Sequence, residues 1–445
     1  MRGQANAPVG IGHSAFSLVP ATANHEVTFH QDVEPLLQAR CQGCHRPGEA
    51  APMSLLSYND ARPWAKAIKQ AVLARRMPPW YADPSHGKFA NDRRMTDSEI
   101  QTLVSWVDGG AKEGDAATAP APRDFTEGWT IGKPDQVIEL PQTYAVPATG
   151  TVEYTYFLVH TNFAEDKWVE QVEMRPGNKA VVHHAVAIVR LPGAKYLTEL
   201  TADAPYVPSK KEVVRKPDTG EASLGFTSGA EILTVYVPGG VAYTLEPGQA
   251  RLIPKGSDVI FQMHYTTNGK AATDRSRVGF IFAKEPPRER VYNTFIGNRN
   301  FRIPAGEANY PVTARVTLYA ETRLLSLFPH MHLRGKSFEY KATYPNGESE
   351  ILLNVPKYDF NWQLSYYLAE PKVLPKGTVI ECVAHYDNSA NNRYNPDPKA
   401  EVLYGEQTWE EMLDGFLDLG MPVTQRLQDV AKPKPAPSAT GADSR

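Results

Sequence analysis

Residues 181–190 read VVHHAVAIVR, a short run rich in Val that has many counterparts in the second part of the chain. β-Branched residues favour strands, and such runs recur from about residue 135, separated by Pro and Gly turn signals. Other examples are TVEYTYFLVH (151–160), DVIFQMHYTT (258–267), RLLSLFP (323–329) and TVIECVAHY (378–386). This spacing predicts antiparallel β-sandwiches. Because about 290 residues are too many for one sandwich, we expect two in tandem, over residues 136–290 and 291–430.

The first 115 residues have a helical character instead. In MTDSEIQTLVSWVDGG (95–110), Thr96 and Glu99 form a capping-box pattern ahead of apolar residues at helical spacing. A second helix is expected within 58–76, with Asn59 or Asp60 as its N-cap. Residues 116–135, rich in Ala and Pro, read as a linker. The predicted fold is therefore multidomain: a small all-α domain followed by two β-sandwiches.

The two ends of the chain and its composition limit the extent of the folded part and the classes of partner to expect. Residues 1–25 have the features of a weak signal remnant or a flexible leader, and residues 431–445 have a disordered composition. The 445 residues carry a formal net charge of −3, which gives no electrostatic reason to expect nucleic acid as a partner. No apolar run approaches the roughly 20 residues that a membrane-spanning helix needs.

The stretch CQGCH at 41–45 has the C-x-x-C-H pattern of covalent c-type haem attachment. Two thiols add to the haem vinyl groups, and His45 would then be the proximal iron ligand. The alternative, half of a zinc site, lacks further cysteines nearby, because the only other one is Cys382. For the second axial ligand we favour Met77, in RRMPPW (75–80); the alternatives are Met95, Met53 and His86.

Residues 26–115 as a whole resemble a class I cytochrome c domain. That resemblance implies one covalently bound haem c. It also implies export, because haem is attached outside the cytoplasm, so we expect a periplasmic or secreted protein.

Several histidines fall in the strand-like runs. In FPHMHLRG (328–335), His330 and His332 would lie on one face of a strand, since side chains alternate. His183–His184 and His264 occupy two other runs, and Met412 lies in QTWEEMLDGF (407–416). Imidazoles with an added thioether favour copper. Adjacent residues on a regular strand face opposite ways, so His183 and His184 can share an ion only across a twist or bulge.

The order H-H, Q-x-H-Y, H-x-H and E-M resembles the copper type II, ascorbate-dependent monooxygenases, the peptidylglycine α-hydroxylating and dopamine β-monooxygenase group. The resemblance covers roughly residues 150–425. It implies two jelly-roll-like sandwiches, each with one copper. One set of ligands, for the electron-transfer copper, would be His183, His184 and His264. The other set, for the copper that activates O₂, would be His330, His332 and Met412.

The chain departs from the peptide-amidating members at two positions. Those enzymes hold a substrate carboxylate with an arginine and a tyrosine, where this sequence has Phe328 and Phe416. A peptide C-terminus is therefore not the expected substrate, because its charge would be buried without a partner. If H-x-H lies on a strand, Phe328 shares the face of His330, and if the segment after Met412 is helical, Phe416 lies one turn along on the face of Met412. Both phenylalanines could then line an apolar substrate pocket, or they could be core residues.

Taken together, the motifs predict a copper monooxygenase that uses O₂ to hydroxylate a C–H bond of a small, mainly uncharged substrate. The haem would supply electrons that come from a redox partner, a periplasmic cytochrome or a small reductant. One alternative is a haem and copper protein for electron transfer or copper transport, without oxygenase activity. Another is a pair of sandwiches that serves as an adhesive or carbohydrate-binding module.

Overall fold

The computed structural model describes residues 25–49, 51–126, 128–208, 218–225, 229–240 and 242–431. The protein is mostly β-sheet, as the strand-like runs predict, and its helices are few and short. Residues 1–24 of the predicted leader and 432–445 of the predicted tail lie outside the described residues. None of the helices in the described ranges is long and apolar enough to cross a membrane.

The helices are concentrated near the start of the chain. A π-helical turn at Phe29–Val33 leads into the first α-helix, and short 3₁₀ turns occur at Arg62–Trp64 and Ala116–Thr118. The α-helices are α1 (Glu34–Arg40), α2 (Tyr58–Ala61), α3 (Ala65–Leu73), α4 (Asp97–Asp108) and α5 (Leu427–Ala431).

Two helix starts test the predicted caps. At α4 the capping box is confirmed: Thr96 Oγ1 accepts a hydrogen bond from the Glu99 backbone N–H, and the Glu99 carboxylate accepts one from the Thr96 N–H. At α2 the prediction of Asn59 or Asp60 is wrong, because Ser57 is the N-cap and accepts from the Asp60 N–H at 3.2 Å. The Asp60 carboxylate instead accepts a hydrogen bond from Ser54. Serine is as good an N-cap as either predicted residue, so the pattern alone did not separate them.

The helices between residues 29 and 108 share a small hydrophobic core of their own. Phe29, Leu37, Leu103 and Trp106 have no exposed area in it, and Met95 packs beside them. The segment after α4 returns along α1, since Gln38 Nε2 donates to the Ala121 carbonyl. That this helical part is a cytochrome c domain stays a prediction.

The strands make up most of the rest of the chain. In the first half they are β1 (Gln136–Glu139), β2 (Tyr144–Val146), β3 (Thr155–His160), β4 (Lys167–Arg175), β5 (Val182–Arg190), β6 (Ser223–Leu224), β7 (Ala230–Tyr236), β8 (Gln249–Ile253), β9 (Asp258–Tyr265), β10 (Ala272–Asp274) and β11 (Arg277–Phe282). They continue with β12 (Glu289–Asn298), β13 (Arg302–Ile303), β14 (Tyr310–Thr317), β15 (Thr322–His330), β16 (Gly335–Thr343), β17 (Ser349–Val355), β18 (Tyr366–Leu374), β19 (Val379–Tyr386), β20 (Val402–Leu403) and β21 (Leu413–Pro422).

Thirteen of these strands join into one large sheet. Its main path runs β1-β11-β4-β8-β12-β7-β5-β9-β3, and β21, β15 and β18 extend it from β12. A separate four-stranded sheet has the order β14-β19-β16-β17. Of the strand pairings in the described residues, only that of β8 with β12 is parallel.

Two of the hydrophobic cores lie in the β region. The first contains Phe157, Phe261 and Phe280 and lies among strands that precede residue 283. The second contains Tyr340 from the four-stranded sheet and Leu417 from the large sheet, so the two sheets face each other across it. A β-sandwich arrangement is therefore present.

The expected boundary between residues 290 and 291 falls inside β12. Along one edge, β12 pairs with β21 over its whole length, from Glu289 opposite Pro422 to Asn298 opposite Leu413. Along the other edge it contacts β8, β7 and β6. The turn signal at Pro286–Pro287 ends just before β12. The strand itself links the two parts of the β region.

Part of the predicted cytochrome segment packs on the β region instead of on the helices. Trp80 and Phe89 belong to the core that the two sheets share. Backbone hydrogen bonds join Asp83 to Asn354 and Ala90 to Tyr367, at 2.8 Å each. The segment that follows the helical core is thus hydrogen-bonded to β17 and to β18 of the β region.

Candidate metal centre

Three histidines converge at the start of β5 and the end of β9. His184 and His264 are cross-strand partners, and the ladder has an irregularity between Val182 and His184. This bulge is the feature that adjacent histidines need in order to turn to one side, as the sequence predicted. His184 Nδ1 lies 3.1 Å from His183 Nδ1 and 3.3 Å from His264 Nδ1. Two nitrogen ligands on one tetrahedral ion would be about 3.3 Å apart, so the three nitrogens fit a shared metal.

The electrostatics of this triad favour neutral imidazoles. Burial, with the charges of His183 and His330, lowers the pKa of His264 to about 3. Burial and the neighbouring His264 and His183 hold the pKa of His184 well below its usual range. Neutral imidazole is the form that binds a metal, because a ring nitrogen then has a free lone pair. The triad therefore has suitable donors in a suitable protonation state.

His330 and His332 form a second group at the end of β15. The strand ends at His330, and His332 lies just beyond it. The prediction that both residues lie on the strand is therefore wrong for His332. Their ring centroids are nevertheless 5.2 Å apart. Burial lowers the pKa of His330 to about 4 and holds that of His332 well below its usual range.

Each of these two rings is oriented through its Nδ1 atom. His330 Nδ1 lies 2.5 Å from Gln363 Oε1, and His332 Nδ1 lies 3.2 Å from the Glu410 carbonyl oxygen. Both partners are acceptors, so Nδ1 carries the proton and Nε2 keeps its lone pair. His332 Nε2 is buried without a hydrogen-bond partner among the described residues. A buried ring nitrogen in this state suits a metal ligand.

Glu411 supports this group and was not identified from the sequence. Its carboxylate is fully buried and accepts hydrogen bonds from the backbone N–H groups of His332, at 2.8 Å, and Arg334, at 2.6 Å. Burial raises the pKa of Glu411 to about 8, and the backbone donors oppose that rise. The signal that could have found it is its place directly before Met412.

Met412 lies immediately before β21. The sequence argument for Phe416 assumed a helix after Met412, and that assumption is wrong, because residues from Leu413 onward form a strand. Four residues along a strand also return to the same face, so the expected placement of Phe416 holds for a different reason. The Met412 carbonyl accepts a hydrogen bond from the buried Tyr386 hydroxyl at 2.6 Å, which fixes the backbone there.

The two histidine groups are neighbours across two aromatic rings. The Tyr154 ring centroid lies 4.8 Å from that of His264 and 6.2 Å from that of His332. The Phe360 ring is stacked on His183 at 5.2 Å and lies 6.3 Å from His332. All five histidines singled out in the sequence are therefore brought into one region.

A cavity of about 200 Å³ adjoins both groups. His184, His330 and Met412 line it together with Phe328 and Phe416. The two phenylalanines are cross-strand partners on β15 and β21, with ring centroids 5.6 Å apart. Their position beside His330 is what the sequence predicted. That they contact a substrate stays a prediction.

The same cavity has a polar part. Tyr156 donates a hydrogen bond to Glu406 at 2.9 Å, and the Arg299 guanidinium lies over the Tyr404 ring, 5.3 Å from its centroid. Glu406 and Arg299 have opposite formal charges, and burial raises the pKa of the Asp414 carboxyl, which also lines the cavity, to about 7. The cavity therefore combines an apolar wall with hydrogen-bonding and acidic side chains.

The C-x-x-C-H motif forms a turn directly after α1. The backbone N–H groups of Cys44 and His45 both donate to the Cys41 carbonyl, at 3.1 and 2.9 Å. Both cysteines are free thiols, and burial raises the pKa of Cys41 to about 12. Burial lowers the pKa of His45, whose Nδ1 is buried and has no hydrogen-bond partner in the described part of the chain. Two thiols and an imidazole on one turn fit covalent haem attachment.

The candidates for the second axial ligand have different surroundings. Met95 is buried in the helical core, which agrees with a packing role. Met77 follows α3 and is half-buried, and Met53 is also half-buried. His86 lies in the segment that packs on the β region. Iron ligation by Met77 stays a prediction.

Comparisons with known proteins do not add to this picture. No protein-family model matches the chain, and no curated protein matches it. Among solved structures, the Gx strain of infectious bursal disease virus matches with 10% identity and a TM-score of 0.19, over 67% of this chain and 75% of that one. The VP2 subviral particle of that virus matches with 9% identity and a TM-score of 0.19, over 67% and 74%. Similarity at this level supports no conclusion about fold or function.

Proposed function

We propose that this protein is a copper-dependent monooxygenase that hydroxylates a C–H bond of a small, mainly uncharged substrate. The observation that carries the proposal is the cavity, because His184, His330 and Met412 line it together. These residues come from three separate stretches of the sequence that were each singled out as copper ligands. Their convergence on one small space is hard to explain as ordinary core packing, since buried imidazoles need polar partners.

The proposed domain assignment follows the same reasoning. Residues 26–115 would form a cytochrome c domain with haem on Cys41 and Cys44. The two β-sandwiches would be residues 136–290 and 291–430, the first carrying the His183, His184 and His264 site. The second would carry the His330, His332 and Met412 site. Attachment of haem would require export, so the proposed location is the periplasm or the exterior of the cell.

The chemistry needs two electrons for each turnover. One O₂, two electrons and two protons convert C–H to C–OH and release one water. Copper, when bound, supplies one-electron redox chemistry and O₂ activation. Two copper ions and one haem can hold these electrons between turnovers.

The residues of the chain have separate tasks in this proposal. Gln363 and the Glu410 carbonyl orient the imidazoles of His330 and His332. Glu411 holds the backbone at His332 and Arg334. Phe328 and Phe416 exclude water from the substrate side of the cavity and contribute contact area.

The cavity also narrows the substrate class. Its phenylalanine wall favours an apolar body, and the Tyr156, Glu406 and Arg299 part favours one neutral, hydrogen-bonding group. A substrate with a carboxylate is disfavoured, because the lining holds the carboxyls of Glu406 and Asp414 and only one guanidinium, that of Arg299. A small aromatic or aliphatic molecule with an amide or a hydroxyl group fits best.

The test is substrate-dependent O₂ uptake by the copper-loaded holoprotein, with ¹⁸O₂ to follow the oxygen atom into product. We expect two copper ions and one iron per chain, and labelled product from at least one neutral candidate. His330→Ala should remove one copper and the product. His385→Ala is the matched control, because His385 lies on β19 and contacts Ser337 instead of the metal groups.

Two outcomes would contradict the proposal. Copper binding without O₂ uptake for any neutral candidate would favour an electron-transfer or copper-carrying protein. A chain that binds neither copper nor haem would favour a binding module.

A further inference from the structure

The turn that carries the haem-attachment motif is seated against the loop that follows β7. A Cβ atom placed on Gly239 would lie 3.1 Å from Cys44 Sγ, so the thiol leaves too little room for a side chain at this position. The Gly239 carbonyl also accepts a hydrogen bond from Arg93 Nη1 at 3.2 Å. Gly239 has φ +72°, which favours glycine, and the missing side chain is what allows this close approach.

A second contact fixes the same two parts of the molecule. Lys179 Nζ lies 2.6 Å from Glu49 Oε2, and Glu49 also pairs with Arg46 at 2.9 Å. Glu49 follows the haem motif by four residues, and Lys179 precedes His183 by four. The lysine and the carboxylate are both only about one-fifth exposed, so this pair is better shielded from water than a surface ion pair.

Tyr236 connects the docked turn with the histidine triad. Tyr236 lies three residues before Gly239, and burial, with the charges of Glu49 and Cys44, raises the pKa of its phenol. Tyr236 is the cross-strand partner of Ala185, the residue that follows His184. Paired strand residues are about 5 Å apart and neighbouring Cα atoms 3.8 Å, so the backbone route from Tyr236 to His184 is on the order of 9 Å.

We propose that the Gly239 loop and Tyr236 are an internal electron-transfer interface, through which the haem on Cys41 and Cys44 reduces the copper held by His183, His184 and His264 within the same chain. This inference rests on the proposed function and adds the route. In the step, ferrous haem is oxidised to ferric haem and Cu(II) is reduced to Cu(I), with no bond made and no proton moved. A small one-electron reductant such as ascorbate then re-reduces the haem.

The route explains why the haem-bearing part is docked at this place. Val237, the residue after Tyr236, is buried and lines the cavity that His184 also lines. His330 and Met412 line the same cavity, but Tyr236 is paired with Ala185 beside His184, so electrons would reach the triad first. The phenylalanine wall remains available for substrate.

The experiment uses copper(II)-loaded holoprotein with ferric haem, without O₂ or substrate. A substoichiometric pulse of a photogenerated one-electron reductant reduces part of the haem, and the haem absorbance is followed in time. We expect first-order re-oxidation whose rate is independent of protein concentration, matched by loss of the Cu(II) electron paramagnetic resonance signal. A rate proportional to protein concentration would mean transfer between molecules and would overturn the inference.

Two pairs of variants test the interface itself. The methyl group added in Gly239→Ala would press against Cys44 Sγ. We expect haem re-oxidation to slow by about fivefold, because the haem-bearing turn then docks slightly less tightly on this loop. Gly269→Ala is its control: φ is +87° there, so the backbone strain is comparable, but an added Cβ meets nothing within 4 Å. Equal rates in these two variants would contradict the route.

The second pair changes charge. Lys179→Glu should slow re-oxidation by a similar factor of about five, because a partly buried attraction becomes a repulsion. Lys179→Arg should keep the native rate, and so should Lys270→Glu at an exposed lysine of the same sandwich. Native rates in Lys179→Glu would remove this contact from the interface. The haem spectrum and copper content of each variant show that the metal sites are intact.

The two proposals fail in different ways. Haem re-oxidation is measured without substrate, so a protein that never hydroxylates anything can still show intramolecular transfer. Conversely, hydroxylation driven by ascorbate, with haem re-oxidation that depends on protein concentration, would overturn the route and leave the monooxygenase proposal standing.

Discussion

Glu411→Gln should loosen copper at the His330, His332 and Met412 site while the fold persists. The native carboxylate accepts two backbone N–H groups, those of His332 and Arg334, one on each oxygen. Glutamine has one acceptor oxygen, and its NH₂ group would face the second N–H. A buried donor that loses its acceptor costs about 1–3 kcal/mol.

That cost translates into a defined loss of affinity. If it falls on the metal-bound state, 1–3 kcal/mol corresponds to roughly 5- to 150-fold in the copper dissociation constant. Loss of a partner that orients metal ligands typically weakens binding by about 10- to 100-fold, which lies within that range. The His183, His184 and His264 site does not contact Glu411 and should keep its affinity.

The assay is a competition titration of metal-free protein with a copper chelator of known affinity. His264→Ala and His330→Ala variants assign the two binding steps. Asp418→Asn is a more severe control at a distance from the site, since Asp418 is buried on β21, pairs with Arg251 at 3.1 Å and accepts hydrogen bonds from Asn293 and Ser326. It lies six residues beyond Met412, about 20 Å along an extended strand.

Two results would refute the reasoning about Glu411. One is native affinity at both sites in Glu411→Gln. The other is an equal loss at both sites, which would point to a general change in the fold. Weakening of the same size in Asp418→Asn would have that second meaning as well.

Three further predictions concern the haem, the thioether and the pocket. Met77→Ala should abolish the methionine-to-iron absorption band and lower the haem reduction potential. Met95→Ala, in the helical core, should keep the band and lower the free energy of unfolding, measured by chemical denaturation, by about 2–5 kcal/mol. Loss of the band in Met95→Ala and its retention in Met77→Ala would reassign the ligand. Met412→His should still bind copper, measured by metal content, yet lose O₂ uptake, because imidazole is a harder ligand than thioether; unchanged turnover would remove the dioxygen site from Met412. Phe328→Arg should lose binding of neutral aromatic candidates selectively with copper retained, measured by calorimetry, and equal losses for every ligand would contradict a pocket role.

The β character of the protein was predictable because it depends on local sequence, whereas the grouping of the histidines into two sets was implied by the family resemblance. Runs of β-branched residues with turn signals predicted strands such as β5 and β9. The adjacency of His183 and His184 required a bulge, and the ladder has one before His184. The Thr96 and Glu99 capping box is equally local, and it forms as predicted.

The parts that were missed depend on contacts between distant segments. Gln363 orients His330 and Glu411 holds the backbone at His332, but local sequence does not indicate that either is buried there. The one local signal is the position of Glu411 directly before Met412. Tyr154 and Phe360, which lie between the two histidine groups, were missed because they too are brought there by contacts between distant segments. From the sequence a helix was considered after Met412 because a spacing of four residues suits both periods, and pairing with β15 and β12 makes the segment a strand.

The position of β12 has a consequence for how the molecule unfolds. This strand is hydrogen-bonded to β21 on one edge and reaches β6, β7 and β8 on the other, so neither sandwich has a complete sheet without it. A protein cut after Pro287 would leave β8 without its parallel partner in one fragment, and would leave an exposed β12 edge in the other. The β region should therefore melt in one cooperative transition, and its two parts should be recovered as soluble protein only when they are made together.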